Sequence, residues 1–306
     1  MTTPLLSIKV DVDTDRGTRV GVPNLLNLFD GFGIKATFLF SLGPDNTGRA
    51  IKRIFRPGFL SKVSRTSVLS TYGLRTLLNG VLVPGPHVGR RNEGVMRLAR
   101  DRGHEVGIHC YDHIRWQDGL AKMTRDEVYE EFGKARKEFE RIFGEPAKTA
   151  GSAGWQANNF SLAAYDSAHL LYASDARGTR PFIPRANGTV FKTPQIPTTL
   201  PTLDELLGRP EHPEKNIVNH YLSLLRPDGL NVLTIHAELE GMKHIALFRA
   251  FLERIKTQAI QVIRLEDFAR DLIKKPSAIP VCDLVAGTIE GRSGTLSVQK
   301  NIIRSS

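Results

Sequence analysis

Residues 5–13 read LLSIKVDVD, an apolar run that ends in two carboxylates separated by one residue. The pattern predicts a short buried strand over Leu5–Val10 that ends at Asp11. Side chains alternate along a strand, so Asp11 and Asp13 are expected on the same side. Two neighbouring carboxylates repel each other unless a cation or a proton lies between them. This stretch therefore predicts both the first strand of a sheet and a candidate site at its end.

Similar apolar segments recur along the chain and alternate with helical patterns. Strands are predicted at residues 36–40, 105–108, 170–173, 232–235 and 261–265, and helices at residues 23–29, 124–143 and 244–255. In the clearest helix, Thr124 and Glu127 form a capping box and Gly144 ends the helix. Strands that alternate with helices predict an α/β fold built on a parallel sheet or barrel.

Two histidines follow the third predicted strand, in His109-Cys-Tyr-Asp-His113. On one helical turn their imidazoles share a face and could bind one metal ion. With Asp13 they supply two nitrogens and one oxygen, which leaves coordination positions open, as in catalytic sites. In that helical geometry Cys110 points away from both histidines and is expected to pack. A pair of ordinary polar histidines is the alternative for this motif alone.

Polar groups also follow other predicted strands. His236, in Thr-Ile-His-Ala-Glu, ends a buried strand, and Asp175 is a candidate to orient its imidazole and hold it protonated. The small-residue turn Gly151-Ser-Ala-Gly154-Trp155 could bring backbone N–H groups close to an oxyanion. Taken one at a time, a structural histidine and a simple tight turn are the alternative interpretations.

The positive charge of the 306-residue chain is concentrated in one segment. The chain has 42 Lys and Arg against 32 Asp and Glu, a formal net charge of +10. Residues 46–100 contain eleven basic residues and one acid, Glu93, so this segment alone carries +10. A basic segment in an otherwise neutral chain indicates a local docking face for phosphates rather than a nucleic-acid-binding surface.

Other features bear on compartment and domain organisation. Cys110 and Cys282 are too few for a disulfide framework and fit reduced cytosolic thiols. No secretory signal and no apolar run of about 18 residues is visible, so a cytoplasmic protein is expected. We divide the chain into a main domain over residues 1–273, with a basic insertion at 45–98, and a tail over residues 274–306 whose role the sequence does not show.

The order of these motifs resembles the polysaccharide deacetylase family (NodB homology) over roughly residues 5–272. The matching elements are Asp-x-Asp after the first strand, His-x3-His after a later one, a small-residue turn, an Asp and a late Thr-Ile-His. Longer strings resemble the branch of deformylases that act on undecaprenyl phosphate-linked 4-deoxy-4-formamido-L-arabinose; these strings are residues 11–19, 43–46, 153–155, 193–202 and 234–238.

The resemblance implies a distorted (β/α) barrel and a metal-dependent amide hydrolase that releases formate and leaves an amino sugar on its lipid for lipid A modification. By position it implies roles for six residues: Asp11 as general base, Asp13, His109 and His113 as ligands of a divalent zinc, cobalt or manganese ion, His236 as general acid and Asp175 as its support. It also implies oxyanion or substrate contacts at Gly154 and Trp155.

One departure from the family pattern concerns the small-residue turn. Many family members have an arginine there that orients the catalytic base, whereas residues 151–155 contain none. Arg16, Arg19 and Arg177 are the candidates to replace it.

The implied lipid-linked substrate gives the basic segment a role. Each Lys or Arg near an anionic membrane surface contributes about 1 kcal/mol of binding, so a few can dock a protein. We expect Arg53, Arg56 and Lys62 to contact the membrane or a lipid phosphate. The expected location is cytoplasmic, peripheral on the inner face of the cytoplasmic membrane, with no nucleic-acid partner.

Three alternative functions remain open on the sequence. A polysaccharide or peptidoglycan N-deacetylase of the same family would release acetate instead of formate. A glycosyltransferase would use Asp11 and Asp13 to hold a metal–nucleotide, but this leaves His109, His113 and His236 unexplained. A non-catalytic basic protein would bind membranes or nucleic acid without a metal.

Overall fold

The computed structural model describes residues 4–50, 79–81 and 83–300. Eleven strands lie in these residues: β1 (Leu5–Val12), β2 (Thr37–Ser41), β3 (Glu105–Cys110), β4 (Thr149–Ala150), β5 (Tyr172–Ala173), β6 (Ile183–Ala186), β7 (Thr189–Val190), β8 (Leu230–His236), β9 (Gln261–Val262), β10 (Val281–Gly287) and β11 (Leu296–Lys300). Seven of them form a parallel sheet in the order β5-β4-β3-β2-β1-β8, with β9 beside the start of β1. The predicted α/β fold is confirmed.

An irregular segment, residues 193–200, joins the two edges of this sheet. On one side, the Ile196 N–H donates to the carbonyl of Ala173 in β5 (2.8 Å). On the other, the Leu200 N–H donates to the carbonyl of Val232 in β8 (3.1 Å). Two prolines in the segment lack the N–H that a regular strand needs, so the closure stays irregular. The sheet is therefore the distorted barrel that the resemblance implied.

Nine helices lie in the described residues: α1 (Val22–Phe32), α2 (Val88–Asp101), α3 (His113–Gly119), α4 (Arg125–Phe143), α5 (Asn159–Ser167), α6 (Leu203–Leu206), α7 (Ile217–Leu224), α8 (Ile245–Thr257) and α9 (Leu265–Leu272). The α4 helix confirms the sequence pattern, because the capping box of Thr124 and Glu127 is formed and its predicted apolar face is buried. Gly144, with φ of 74°, ends it in the left-handed region that glycine favours.

Some sequence predictions differ from the structure, and the strand predicted over residues 170–173 covers only Tyr172–Ala173. The strand predicted over residues 261–265 is only two residues long, because α9 begins at Leu265. Side chains of the barrel accept the first N–H groups of α9: Thr37 Oγ1 from Leu265 (3.0 Å) and Glu105 Oε2 from Glu266 (2.9 Å). These long-range caps start the helix. His109 and His113 do not share a helix either, because His109 lies in β3 and His113 begins α3.

Both described ends of the predicted basic insertion at 45–98 pack on the barrel. Its last part belongs to α2, which follows β2 in the chain and buries Val88 and Met96 in the core. Its first part is also buried on the barrel, at Asp45 and Asn46. The residues predicted to contact the membrane, Arg53, Arg56 and Lys62, lie outside the described residues. No helix in the described ranges has the length and apolar character needed to span a bilayer.

A second, four-stranded sheet of order β11-β10-β6-β7 lies beside the barrel. It contains two strands from the predicted tail, and β10 pairs in parallel with β6 while β11 runs antiparallel to β10. Hydrogen bonds therefore connect residues on both sides of the predicted boundary at residue 273. The tail also contacts the barrel, since the Arg177 N–H donates to Ser297 O (2.9 Å).

Candidate active site

Strand neighbours bring the predicted acids and histidines together at the carboxyl end of the barrel. In the β1–β8 ladder, Asp11 lies opposite His236. Two strands away from β1 in the sheet, β3 ends with His109 and Cys110, and Asp13 follows β1 directly. The carboxyl ends of parallel strands are where such folds build active sites. The prediction that these residues meet at one edge agrees with this arrangement.

Asp13, His109 and His113 form the one group of possible metal ligands found in the described residues, with all three donor atoms within 4.8 Å of one another. Asp13 Oδ1 lies 3.3 Å from His109 Nε2 and 3.4 Å from His113 Nε2. His109 Nδ1 is 2.6 Å from the Gly151 carbonyl, which can only accept, so Nδ1 carries the proton. Nε2 is therefore the ring nitrogen that faces Asp13 Oδ1, a buried oxygen with no hydrogen-bond partner among the described residues. Two imidazole nitrogens and one carboxylate oxygen at this spacing suit a divalent metal, which neutral imidazoles would bind through Nε2.

The turn between β3 and α3 determines where His113 lies. Asp112 caps α3, since its Oδ1 accepts the Arg115 N–H (3.0 Å). Its other oxygen accepts from Asn46 Nδ2 (2.6 Å), and its own N–H donates to Glu131 Oε1 (3.0 Å). Three elements thus fix the turn, and it holds the His113 imidazole near that of His109 with ring centres 5.3 Å apart.

Asp11, the predicted general base, is buried and pairs with a lysine two residues earlier in the same strand. Lys9 Nζ lies 3.5 Å from Asp11 Oδ2 and donates to the Ser174 carbonyl (3.3 Å). The Lys9 side chain is completely buried, and its ammonium lies 5.3 Å from the centre of the Trp155 ring. Two of the three arginines considered from sequence pair with other acids: Arg19 with Asp15, and Arg177 with Glu205. Lys9 is the cation that pairs with Asp11, the predicted base.

His236, the predicted general acid, is held by its backbone and surrounded by carboxylates. Its N–H donates to Glu240 Oε2 (2.9 Å), and its Nδ1 has no hydrogen-bond partner in the described part of the chain. Burial lowers the pKa of His236, but the charges of Asp13 and Asp204 outweigh burial and raise it above its ordinary value. An imidazole that carries a proton near neutral pH can donate it to a leaving group.

Asp175 differs from its predicted role. Its carboxylate accepts from the Ser152 N–H (2.7 Å), from Gln195 Nε2 (2.9 Å) and from the Tyr165 hydroxyl (3.4 Å), and His236 Nδ1 makes no hydrogen bond to it or to any other described residue. Burial raises the pKa of Asp175, although the bonds from Gln195 and Ser152 oppose this. Asp175 thus holds the start of the small-residue turn instead of the histidine.

The small-residue turn is strained. Gly154 has φ of 63°, a left-handed conformation that favours glycine, and a Cβ there would stand 2.5 Å from Gln117 Nε2, so the Gln117 side chain would have to move. Trp155 follows with φ of 53°, an uncommon conformation for a bulky residue that costs about 1–3 kcal/mol. Its backbone N–H donates to Ser152 O (3.1 Å), so in this structure that group is engaged within the turn rather than free for an oxyanion. The indole lies edge-on to His236, with ring centres 6.5 Å apart.

Sequence reasoning missed three acidic residues at this end of the barrel. Glu238 Oε1 accepts from the Asp13 N–H (3.1 Å) and the Thr14 N–H (2.9 Å), which fixes the backbone of a predicted metal ligand. Burial, and then the charge of Asp13, raise the pKa of Glu238 to about 8. Asp204 and Glu240 surround His236. The acids in Thr-Ile-His-Ala-Glu-Leu-Glu240 stand close to the histidine in sequence, and this spacing could have indicated two of the three.

Comparison with known proteins finds sequence relatives over most of the chain. The family model for polysaccharide deacetylase matches residues 10–168. A protein of Shewanella sediminis (strain HAW-EB3), named as a probable 4-deoxy-4-formamido-L-arabinose-phosphoundecaprenol deformylase, is 38% identical over 97% of this chain and 95% of its own length. A protein of the same name from Wigglesworthia glossinidia brevipalpis is 33% identical over 94% of this chain and 100% of its own length.

Solved structures agree on the fold. A crystal structure from Mycobacterium smegmatis, of a protein named as a polysaccharide deacetylase, superposes with a TM-score of 0.62 at 16% sequence identity. The match covers 90% of this chain and 92% of that one. At this identity the likeness concerns the fold alone, whereas the family model and the two full-length relatives concern the sequence. On that sequence similarity, the chain belongs to the polysaccharide deacetylase family.

Proposed function

We propose that the protein is a metal-dependent deformylase that hydrolyses the formamide of undecaprenyl phosphate-linked 4-deoxy-4-formamido-L-arabinose. The products are formate and the lipid-linked 4-amino-4-deoxy sugar, which is used for lipid A modification and so for polymyxin resistance. Two full-length relatives of that name, at 38% and 33% identity, support this substrate. The observation that carries the reaction class is the Asp13, His109 and His113 group beside Asp11 and His236.

The metal would be held by Asp13, His109 and His113, and zinc, cobalt and manganese all suit such a donor set. When bound, a divalent ion supplies Lewis acidity that polarises a carbonyl oxygen and lowers the pKa of water. The hydrogen bond from His109 Nδ1 to Gly151 fixes the imidazole with Nε2 toward the ion.

Proton transfer is assigned to two residues on neighbouring strands. Asp11 accepts a proton from the water that attacks the formyl carbon, and Lys9 holds the other oxygen of this carboxylate in place. His236 donates a proton to the sugar nitrogen as the C–N bond breaks, so formate leaves and the nitrogen becomes an amine. Each such positioned proton transfer contributes roughly 10²–10⁴-fold in rate.

Formate release tests this function directly. The substrate is the lipid-linked 4-formamido sugar in detergent, and the protein is compared before and after metal removal and after zinc, cobalt or manganese is restored. We expect formate only from metal-loaded protein. Acetate release from an acetylated polysaccharide, with no formate from the lipid-linked sugar, would instead support an N-deacetylase of the same family.

We also propose that the protein docks on the inner face of the cytoplasmic membrane through its basic segment. The support is the net +10 of residues 46–100 and a substrate class carried on a lipid. Replacement of Arg53, Arg56 and Lys62 by glutamate should release the protein from anionic liposomes in a co-sedimentation assay. The matched control replaces Arg136, Lys137 and Lys148, three exposed basic residues, by glutamate. Equal binding by both triple variants would refute docking through this segment.

A further inference from the structure

The loop between β10 and β11, residues 288–295, lies against the active site. Gln156 Nε2, next to the strained turn, donates to the Thr295 carbonyl (2.7 Å). Gly291 has φ of 80°, and a Cβ there would stand 2.3 Å from the Glu205 carbonyl oxygen, so the loop backbone sits directly on α6. Because both contacts fix the loop, the direction of the next side chain, Arg292, is determined by the fold. This loop lies beyond the residues that the family model matches.

Arg292 packs on Trp155, the same indole that lies beside His236. Its guanidinium carbon is 4.5 Å from the centre of the Trp155 ring, and that ring centre lies 6.5 Å from the centre of the His236 ring. The indole is 2% exposed and the Arg292 side chain 11% exposed. The Arg292 guanidinium and the His236 imidazole thus lie beside the same indole.

The charge of Arg292 is only partly compensated. Arg177 Nη1 donates to Glu205 Oε1 at 2.6 Å, and its Nη2 donates to the Leu200 carbonyl (2.9 Å). Arg292 Nη1 is 3.8 Å from the same Glu205 oxygen, which is beyond hydrogen-bond distance. Two guanidinium groups therefore share one carboxylate. A largely desolvated cation at this distance from its counter-ion is costly, and it favours an anionic ligand with several acceptor oxygens.

We propose that Arg292 forms a subsite for a phosphate group attached to the sugar substrate, with Trp155 packed beneath it. The inference rests on the proposed function, in which the sugar carries its formamide at one carbon and a phosphate at another. With the formamide at His236, the sugar ring lies along the Trp155 side of the site and its phosphate meets Arg292. The planar fork of an arginine matches phosphate oxygens in a bidentate manner. The predicted tail would then supply specificity for the phosphate-linked substrate.

The experiment compares two substrates, the polyprenyl phosphate-linked formamido sugar and a phosphate-free alkyl glycoside of the same sugar. For Arg292→Gln we expect the ratio of kcat/KM for the phosphate-linked sugar to kcat/KM for the glycoside to fall by roughly 10–100-fold, mainly through KM. Arg292→Lys keeps the charge without the planar fork, so its ratio of kcat/KM values should lie between those of wild type and Arg292→Gln. The control is Arg185→Gln, which removes a cation paired with Asp283 in the second sheet.

The outcomes separate this subsite from the function on which it rests. An unchanged ratio for Arg292→Gln, with wild-type protein active on both substrates, would overturn the phosphate subsite and leave the deformylase intact. A wild-type protein that releases no formate from either substrate would refute the proposed function and the subsite with it. Equal losses by Arg292→Gln and Arg185→Gln would assign the effect to the second sheet as a whole and also overturn the subsite.

Discussion

The two ends of the parallel sheet bury carboxylates in opposite ways. At the amino end, both oxygens of Glu105 are satisfied: Oε2 accepts from Thr37 Oγ1 (2.6 Å) and the Glu266 N–H (2.9 Å), and Oε1 accepts from the Tyr172 hydroxyl (2.8 Å). These bonds connect β2, β3, β5 and the start of α9. A buried polar network of this kind specifies the packing of the barrel.

At the carboxyl end, the carboxylates are buried without full satisfaction. Asp11, Asp13 and Glu238 each have one buried oxygen with no hydrogen-bond partner among the described residues. The buried Nδ1 of His236 also has no partner among them. An unsatisfied buried acceptor costs about 1–3 kcal/mol, so these groups reduce stability. Burial alone therefore does not identify a functional acid. A functional acid is better indicated by a buried carboxylate oxygen that has no hydrogen-bond partner within the protein and is therefore available to a ligand.

The largest expected effect on activity is that of His109→Ala. Its control is His104→Ala, at the residue directly before the start of the same strand. His109→Ala removes a proposed metal ligand, so metal content and kcat/KM should fall together, the latter by roughly 10³-fold or more. His104 Nδ1 accepts the Ala36 N–H (3.1 Å) far from the metal ligands, so its replacement should lower stability and leave the metal bound. Metal analysis and formate release measure both variants. Full metal content in His109→Ala would contradict the assignment.

Lys9→Met tests whether the carboxyl end needs its buried cation for catalysis or only for folding. We expect kcat to fall about 10²-fold with little change in KM or metal content, because Asp11 loses the group that holds it. Breaking a buried ion pair should also cost about 3–5 kcal/mol of stability. Lys9→Arg should retain part of kcat. The double variant Lys9→Met, Asp11→Asn should regain stability without activity. A kcat of Lys9→Met that falls only in proportion to the loss of folded protein would show that Lys9 is purely structural.

Glu105→Gln should give the smallest change in kcat and a clear change in stability. At pH 5 both oxygens of the protonated carboxyl can still accept hydrogen bonds, whereas the amide N–H₂ of glutamine accepts none, so the free energy of unfolding should fall by about 1–3 kcal/mol. Formate release should stay near the wild-type level, since the hydrogen bonds of Glu105 all lie at the amino end of the sheet. A loss of activity larger than the loss of folded protein would contradict the separation of the two ends.

The same variant has an expected pH dependence. Burial raises the pKa of Glu105 from 4.5 to about 7, against the bonds from Thr37 and Tyr172. The folded state therefore binds the proton more tightly, and the stability contributed by this proton is complete below about pH 4.5 and lost as pH rises through about 7. The stability advantage of wild type over Glu105→Gln should shrink over this range in urea titrations. An advantage that grows with pH would contradict the protonated, buried acid.

Local pattern determined much of the architecture and of the candidate site. The alternation of apolar strands with helices predicted the parallel sheet, and the capping box predicted α4. Polar residues placed directly after apolar runs predicted that Asp13, His109 and His236 would meet, because parallel strands end at one edge. These features can be predicted from the sequence because each depends on residues within a few positions of one another.

Only the tertiary structure decided which partners those residues have. The Lys9 contact with Ser174 spans 165 residues, and Asp175 reaches the turn at Ser152 rather than His236 because of how β4 and β5 pair. Arg292 reaches Trp155 because a second sheet, which no local pattern predicted, turns the predicted tail back onto the barrel. Sequence periodicity specifies which face of an element is buried, whereas the register of distant strands and the direction of loops specify which buried groups meet.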